Sequence, residues 1–101
     1  MSKPVRVRIP FHLQTLAQCA NEVTVQADEP VSVVSVVRAL EARYPMLSGT
    51  VIDHYKNQRQ PKVRFFACGE DVSLRALDTP LDAAVGEGTE PLMIVGAISG
   101  G

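Results

Sequence analysis

The sequence predicts an α+β domain: a mixed sheet of four to five strands with one main helix packed on one face. Three observations carry this. Short stretches near the start, in the middle and near the end alternate apolar and polar residues, the period of half-buried strands. One stretch between them repeats its apolar residues every three to four positions, the period of an amphipathic helix. The length, 101 residues, suits a single domain with one real core. The expected layout is one domain over 1–101, with about 98–101 as a flexible glycine-ended tail.

Val5-Arg6-Val7-Arg8-Ile9 alternates strictly. Val5, Val7 and Ile9 face inward; Arg6 and Arg8 face outward, to solvent or to a partner. Pro10 ends this strand or lies at its edge. Phe11–Asn21 has no clear period and reads as a loop anchored by Leu13 and Leu16. Glu22–Gln26 alternates again, a second strand antiparallel to the first. Ala27–Pro30 is a turn.

The next segment sets propensity against period. Its valines suit a strand, but Val33, Val36, Val37, Leu40 and Tyr44 fall on one helical face. Ser32 is a suitable N-cap and Tyr44-Pro45 a stop, so a helix is expected from about Val33 to Arg43. Met46–Pro61 is mostly polar. There Val51 and Ile52 are candidate anchors of a short helical turn, and Lys56–Pro61 reads as a mobile loop. Within it His54, Lys56 and Arg59 read as solvated. Lys62–Cys68 is a third strand with Val63, Phe65 and Ala67 on one face and Arg64, Phe66 and Cys68 on the other. Gly69-Glu70-Asp71 reads as a hairpin turn into a short strand from Val72. Leu77–Leu81 reads as a compact turn, with one turn of 3₁₀ helix an option, and Gly86-Glu87-Gly88 as a tight turn. Pro91–Ile98 is the last strand. The natural arrangement sets the first and last strands side by side and parallel, with the helix across one face. That is a β-grasp, or ubiquitin-like, roll.

Composition excludes several functions. Apolar residues make up 46% and charged residues 21%, against a disordered chain. Ten basic and eleven acidic side chains leave a net charge of −1, no electrostatic basis for binding nucleic acid or an acidic membrane. No apolar run reaches the ~20 residues of a membrane span, and the N-terminus lacks a signal-peptide core. A cytoplasmic chain is expected. Cys19 and Cys68 cannot build a four-thiolate cluster or a zinc site, so no metal is expected and both read as free thiols, reactive or not. No nucleophile–base pair, paired carboxylates or phosphate loop is present, and His12 and His54 read as surface residues; no catalytic residue is assigned.

The informative feature is the Gly100-Gly101 pair that follows the last strand and Ser99. Chance places two glycines there on the order of once in 200 chains. Ile98–Gly101 can reach about 13 Å, enough to carry a carboxyl into another protein's active site. Glycines, lacking Cβ, thread narrow channels where larger residues clash. A terminal carboxylate is ionised at neutral pH and needs activation, as an acyl-adenylate, before it reacts.

These residues, taken together, resemble the MoaD/ThiS family of ubiquitin-like sulfur carriers. Val5–Pro10 resembles the opening strand. Ser32–Leu47 resembles the family helix with its Leu40-Glu41, Tyr44-Pro45 and Leu47 exit. Gly69–Val72 resembles the central hairpin, Leu77–Leu81 the segment before the last turn, and Leu92–Gly101 the final strand and glycine pair. Cys68 stands where many members have Asn, and Gly96 where many have Pro. Longer loops at Phe11–Asn21 and Met46–Pro61 lean towards the cysteine-synthesis-like or unassigned carriers.

The resemblance implies a carrier that is not itself an enzyme and binds no cofactor. A ubiquitin-activating-type partner uses ATP to adenylate Gly101, and sulfur replaces AMP to leave a thiocarboxylate. Gly100, Ser99 and Ile98 thread into the partner. The sulfur goes to molybdopterin, thiamin thiazole, cysteine or thiolated tRNA synthesis; the acceptor is a molybdopterin synthase large subunit, a thiazole synthase or a cysteine synthase type. In the molybdopterin case the chain would be the small, non-catalytic subunit. The alternation also predicts a docking patch of Phe66, Met93 and Val95 on the face opposite the helix. Two other readings stay open: a ubiquitin-like modifier conjugated through Gly101, and a binding module whose glycine pair is incidental.

Overall fold

The alternating segments pair as their period requires. The computed structural model describes residues 1–96, so Ile98, Ser99, Gly100 and Gly101 lie outside the described residues. Strand β1 (Ser2–Arg8) pairs antiparallel with β2 (Glu22–Asp28), Val5 opposite Val25 and Val7 opposite Val23. Strand β3 (Ile52–Asp53) and β4 (Gln58–Arg59) form a separate small hairpin. Strand β5 (Val63–Ala67) pairs antiparallel with β6 (Glu70–Asp71) and with β7 (Leu92–Gly96). Strands β1 and β7 lie side by side and parallel, with Val7 opposite Leu92. The five-stranded order is β2-β1-β7-β5-β6, with the first and last strands at its centre. The expected β-grasp roll is the observed fold.

Helix α2, after a first short helix α1 (Phe11–Ala17), spans Val33–Arg43 as the period predicts. Its propensity is mediocre, but Val33, Val36, Val37 and Leu40 are buried against the sheet, and burial overrides a weak local preference. Its start is well specified. Ser32 Oγ accepts from the Ser35 amide at 3.2 Å and Ser35 Oγ accepts from the Ser32 amide at 2.9 Å, a reciprocal capping box. Val5, Val7, Phe65, Leu92 and Ile94 face α2 from the sheet side and are buried.

Four segments differ from the expectation. Phe11–Asn21 is not a loop but holds α1. Pro10 ends β1 and its carbonyl accepts from the Leu13 and Gln14 amides, opening the helix. Leu13 and Ala17, four apart, are the buried pair, while Leu16 is 48% exposed and anchors nothing. A helix of two turns with one inward pair leaves almost no periodic signal. In Met46–Pro61 the helical turn is 3₁₀ and earlier, at Pro45–Leu47; Val51 and Ile52 are buried at the base of the β3–β4 hairpin instead. Lys56–Pro61 is held, not mobile: Gln60 Nε2 donates to the Gly49 carbonyl at 2.7 Å and Arg59 donates to the Ser73 and Val63 carbonyls at 3.2 and 2.6 Å. His54 Nε2 meets Glu41 of α2 at 2.9 Å, tying the hairpin to the helix. A third short helix, α3 (Ala83–Gly86), is capped by Asp82 and takes in Gly86, which was expected in a turn.

The β5–β6 turn is Cys68-Gly69, not Gly69–Asp71, and both residues have positive φ, 53° and 78°. A two-residue loop with two positive φ values is the type I′ turn, for which Asn-Gly is the favoured pair. Cys68 therefore carries a left-handed conformation that its Cβ disfavours. Cys68→Asn is expected to stabilise the protein by about 0.5–1 kcal/mol, read as a higher urea midpoint at unchanged slope; a lower midpoint refutes the turn assignment.

Candidate functional site

The side of the sheet away from α2 is built by the other half of each alternation. The pairing register lines up Glu22, Arg8, Met93, Phe66 and Asp71 in one row across β2, β1, β7, β5 and β6. Val95 opposite Arg64 begins the next row. Met93 and Val95 are each 37% exposed, and Phe66 is half-buried. The structure thus brings Phe66, Met93 and Val95 together on one outward face, away from the helix, while Phe65 points into the core with no exposure.

Charged groups frame this apolar strip. On one flank Arg6 meets Glu22 through two bonds, Nε to Oε2 and Nη2 to Oε1, both 3.1 Å, and Arg8 Nε reaches Glu22 Oε1 at 3.4 Å. The Arg6 hydrogen bond, with Arg8 behind it, holds the Glu22 carboxyl below the usual carboxylate range. On the other flank Arg64 Nη1 pairs with Asp71 Oδ2 at 3.2 Å. Asp71 Oδ1 also accepts from the Ser73 amide at 2.9 Å, and bonding to Ser73, with help from Arg64 and Arg59, pulls that carboxyl down. The Arg64–Asp71 pair is exposed and the Arg6–Glu22 pair only partly buried, so they order the rim more than they stabilise the fold. Arg6 Nη1 donates to the Gly88 and Thr89 carbonyls at 3.1 and 3.3 Å, which fixes the segment entering β7. Arg64 and Asp71 were not singled out in the sequence. Their signal was there: Arg64 alternates in phase with Phe66.

Strand β7 carries Met93 and Val95 outward and ends, for the described residues, at Gly96. A Cβ on Gly96 would run into the His12 ring of α1. His12 is exposed and its ring can swing aside, so a larger residue at Gly96 would displace that ring rather than the backbone. The tail residues Ile98, Ser99, Gly100 and Gly101 follow outside the described residues.

Cys68 sits exposed at the β5–β6 turn, but its thiol is pushed up, first by desolvation and then by Asp82, Glu90 and Glu70. Less thiolate at neutral pH makes it a poor nucleophile. Among the described residues no three of His, Cys, Asp and Glu are placed to hold a metal ion, and no helix is long and apolar enough to cross a membrane.

No protein-family model matches the sequence, and no curated protein matches it. Solved structures do match the fold. The CysO chain in the Amycolatopsis orientalis BexX/CysO complex is an illustration: TM-score 0.74 at 20% identity, covering 96% of this chain and 99% of that one. Small archaeal modifier protein 1 from Methanosarcina acetivorans gives 0.70 at 20% identity, covering 100% of this chain and 99% of that one. The crystal structure of Haloferax volcanii small archaeal modifier protein 1 gives 0.72 at 18% identity, covering 95% and 99%. The chain shares the ubiquitin-like β-grasp fold of these proteins over nearly their whole length.

Proposed function

We propose that this chain is a ubiquitin-like sulfur carrier of the MoaD/ThiS type, a cosubstrate and not a catalyst. The observation that carries the reading is one strand, β7. It presents Met93 and Val95 beside Phe66 on the outer face and runs on towards Gly100-Gly101. At roughly 3.3–3.6 Å per extended residue, the segment after Gly96 is long enough for a partner that grips this face to receive the carboxyl of Gly101. Its oxygen attacks the α-phosphorus of ATP and expels pyrophosphate, giving an acyl-adenylate. A sulfide equivalent supplied by a donor then displaces AMP, and the C–S bond replaces the C–O bond. Ile98, Ser99 and Gly100 are the threading residues. The fold likeness to CysO, solved with a partner protein, supports work done within a complex. The acceptor class, molybdopterin, thiazole or cysteine synthesis, follows from whichever enzyme takes the sulfur; the long segments at Phe11–Asn21 and Met46–Pro61 lean towards the cysteine type.

A second reading has support in the likeness to two proteins named modifiers: conjugation of Gly101 to a target lysine. Both readings begin with adenylation. Intact-mass spectrometry after incubation with ATP, a sulfur source and the adenylating enzyme tests the first. Exchange of one oxygen for one sulfur at Gly101 is expected; a verified cognate enzyme that leaves the mass unchanged overturns it. High-mass conjugates in cells, without thiocarboxylate, favour the modifier.

The patch makes its own prediction. Met93→Asp together with Phe66→Asp places two charges in an apolar contact and is expected to weaken binding of the adenylating enzyme by about 10- to 100-fold. Both positions keep part of their surface in water, so the fold persists and its circular dichroism is unchanged. Wild-type affinity measured by calorimetry for the double variant removes the patch from the interface.

A further inference from the structure

A second surface lies away from the outer sheet face. A groove of about 840 Å³ is walled by α2, by the tip of the β3–β4 hairpin and by the segment that follows β6. Arg38, Arg59 and Arg75 line it, against a single carboxylate, Asp78. That local excess of positive charge stands out in a chain whose basic and acidic side chains otherwise balance.

The arginines are not equivalent. Arg75 already pairs with Glu70 at 2.8 Å, at an exposed rim. Arg59 is fixed, but only by carbonyl oxygens, those of Ser73, Gln60, Pro61 and Val63 at 3.2, 3.3, 3.4 and 2.6 Å. Carbonyls orient a guanidinium without cancelling its charge. Among the described residues neither Arg59 nor Arg38 lies within ion-pair distance of a carboxylate. The same groove has apolar surface: Val34 and Leu77 are half-buried in its wall, and Leu74 stands 86% exposed between Ser73 and Arg75. Guanidiniums hold carboxylates by paired hydrogen bonds and are weakly hydrated, so they combine well with a neighbouring apolar contact.

We infer that this groove is a second protein-contact surface, built for an extended acidic segment of a partner that sets an apolar side chain against Leu74. Its charges come from three separate segments around a groove wide enough for several residues of chain. A lone phosphate would fill a small part of it and leave Leu74 uncovered. The inference does not depend on the chemistry of Gly101. It leaves the outer face free, so a carrier could hold one partner there while a second is engaged through the groove.

The test is a titration of the full-length ¹⁵N-labelled protein with the peptide acetyl-Glu-Asp-Leu-Asp-Glu-amide, followed by NMR. Saturable shifts are expected at Arg38, Asn57–Arg59 and Leu74–Asp78, with affinity falling about fivefold or more as salt screens the charges. Arg38→Glu and Leu74→Ser, both at exposed positions, are each expected to weaken binding by about fivefold with the unfolding midpoint unchanged. Arg59 is left alone because it holds its own loop. Absence of groove shifts at millimolar peptide overturns the inference, as does binding unaffected by either variant. Equal shifts with inorganic phosphate alone reassign the groove to small anions and overturn it too, and equal shifts with acetyl-Lys-Lys-Leu-Lys-Lys-amide refute the charge selection.

Discussion

Appending a single alanine after Gly101 is expected to abolish adenylate and thiocarboxylate formation, a loss of at least about 10³-fold in rate. The reason is chemical before it is steric. The reactive carboxylate becomes an internal amide, which has no anionic oxygen to attack the α-phosphorus of ATP. The new carboxyl lies one residue further out, on a side chain-bearing Cα that the glycine-sized channel disfavours. The added residue removes no side chain from the buried core, so the melting temperature is expected to stay where it was. Intact-mass spectrometry alongside thermal unfolding reads both halves of the expectation. The variant also separates classes of function. A carrier and a modifier both fail; a binding module with an incidental glycine pair binds its partner undiminished, and that outcome retires the proposed function.

Phe65→Ala is the second large effect, and it falls on stability. Phe65 is wholly buried at the middle of β5, opposite Ile94. Its amide donates to Ser73 Oγ at 2.8 Å and its carbonyl accepts from the Val72 amide at 2.8 Å, so the backbone cannot drift inward to fill a void. Truncation is expected to cost about 3–5 kcal/mol, a large share of the ~5–15 kcal/mol that holds such a domain together. The melting temperature should fall by roughly 15–25 °C. Phe66→Ala, one residue on, should cost less than about 1 kcal/mol because its side chain faces outward and is partly wet. Equal costs at the two positions would mean that the strand faces are misassigned.

That contrast shows what was legible in the sequence. Alternation in Val63–Ala67, Val5–Ile9 and Leu92–Gly96 told inside from outside, so the core and the Phe66, Met93 and Val95 strip could be read together. Period outweighed propensity in α2 because four buried positions repeat there over three turns. Other features had no such signature. Helix α1 shows one inward pair, and β3 and β4 are two residues each; elements that short are dictated by what they pack against. The tie of Arg59 to the Ser73 carbonyl, the approach of Gly96 to the His12 ring and the Arg6–Glu22 pair on the outer face join segments well apart in the chain. Only the folded register brings them together. The terminal glycines are the reverse case: plain in the sequence, and outside the described residues.

The placement of β7 between β1 and β5 has a consequence for biosynthesis. On the ribosome this strand is the last of the sheet to be made, yet it occupies the centre. Until it emerges, β1–β2 and β5–β6 are two hairpins with no strand between them, and neither can cover its apolar face alone. Folding waits on contacts between distant parts of the chain, which are slow to form. A chain stopped before Leu92 therefore lacks the central strand and cannot close the sheet. Such a product leaves core valines such as Val5 and Val7, which are wholly buried in the finished sheet, open to the cell's proteases.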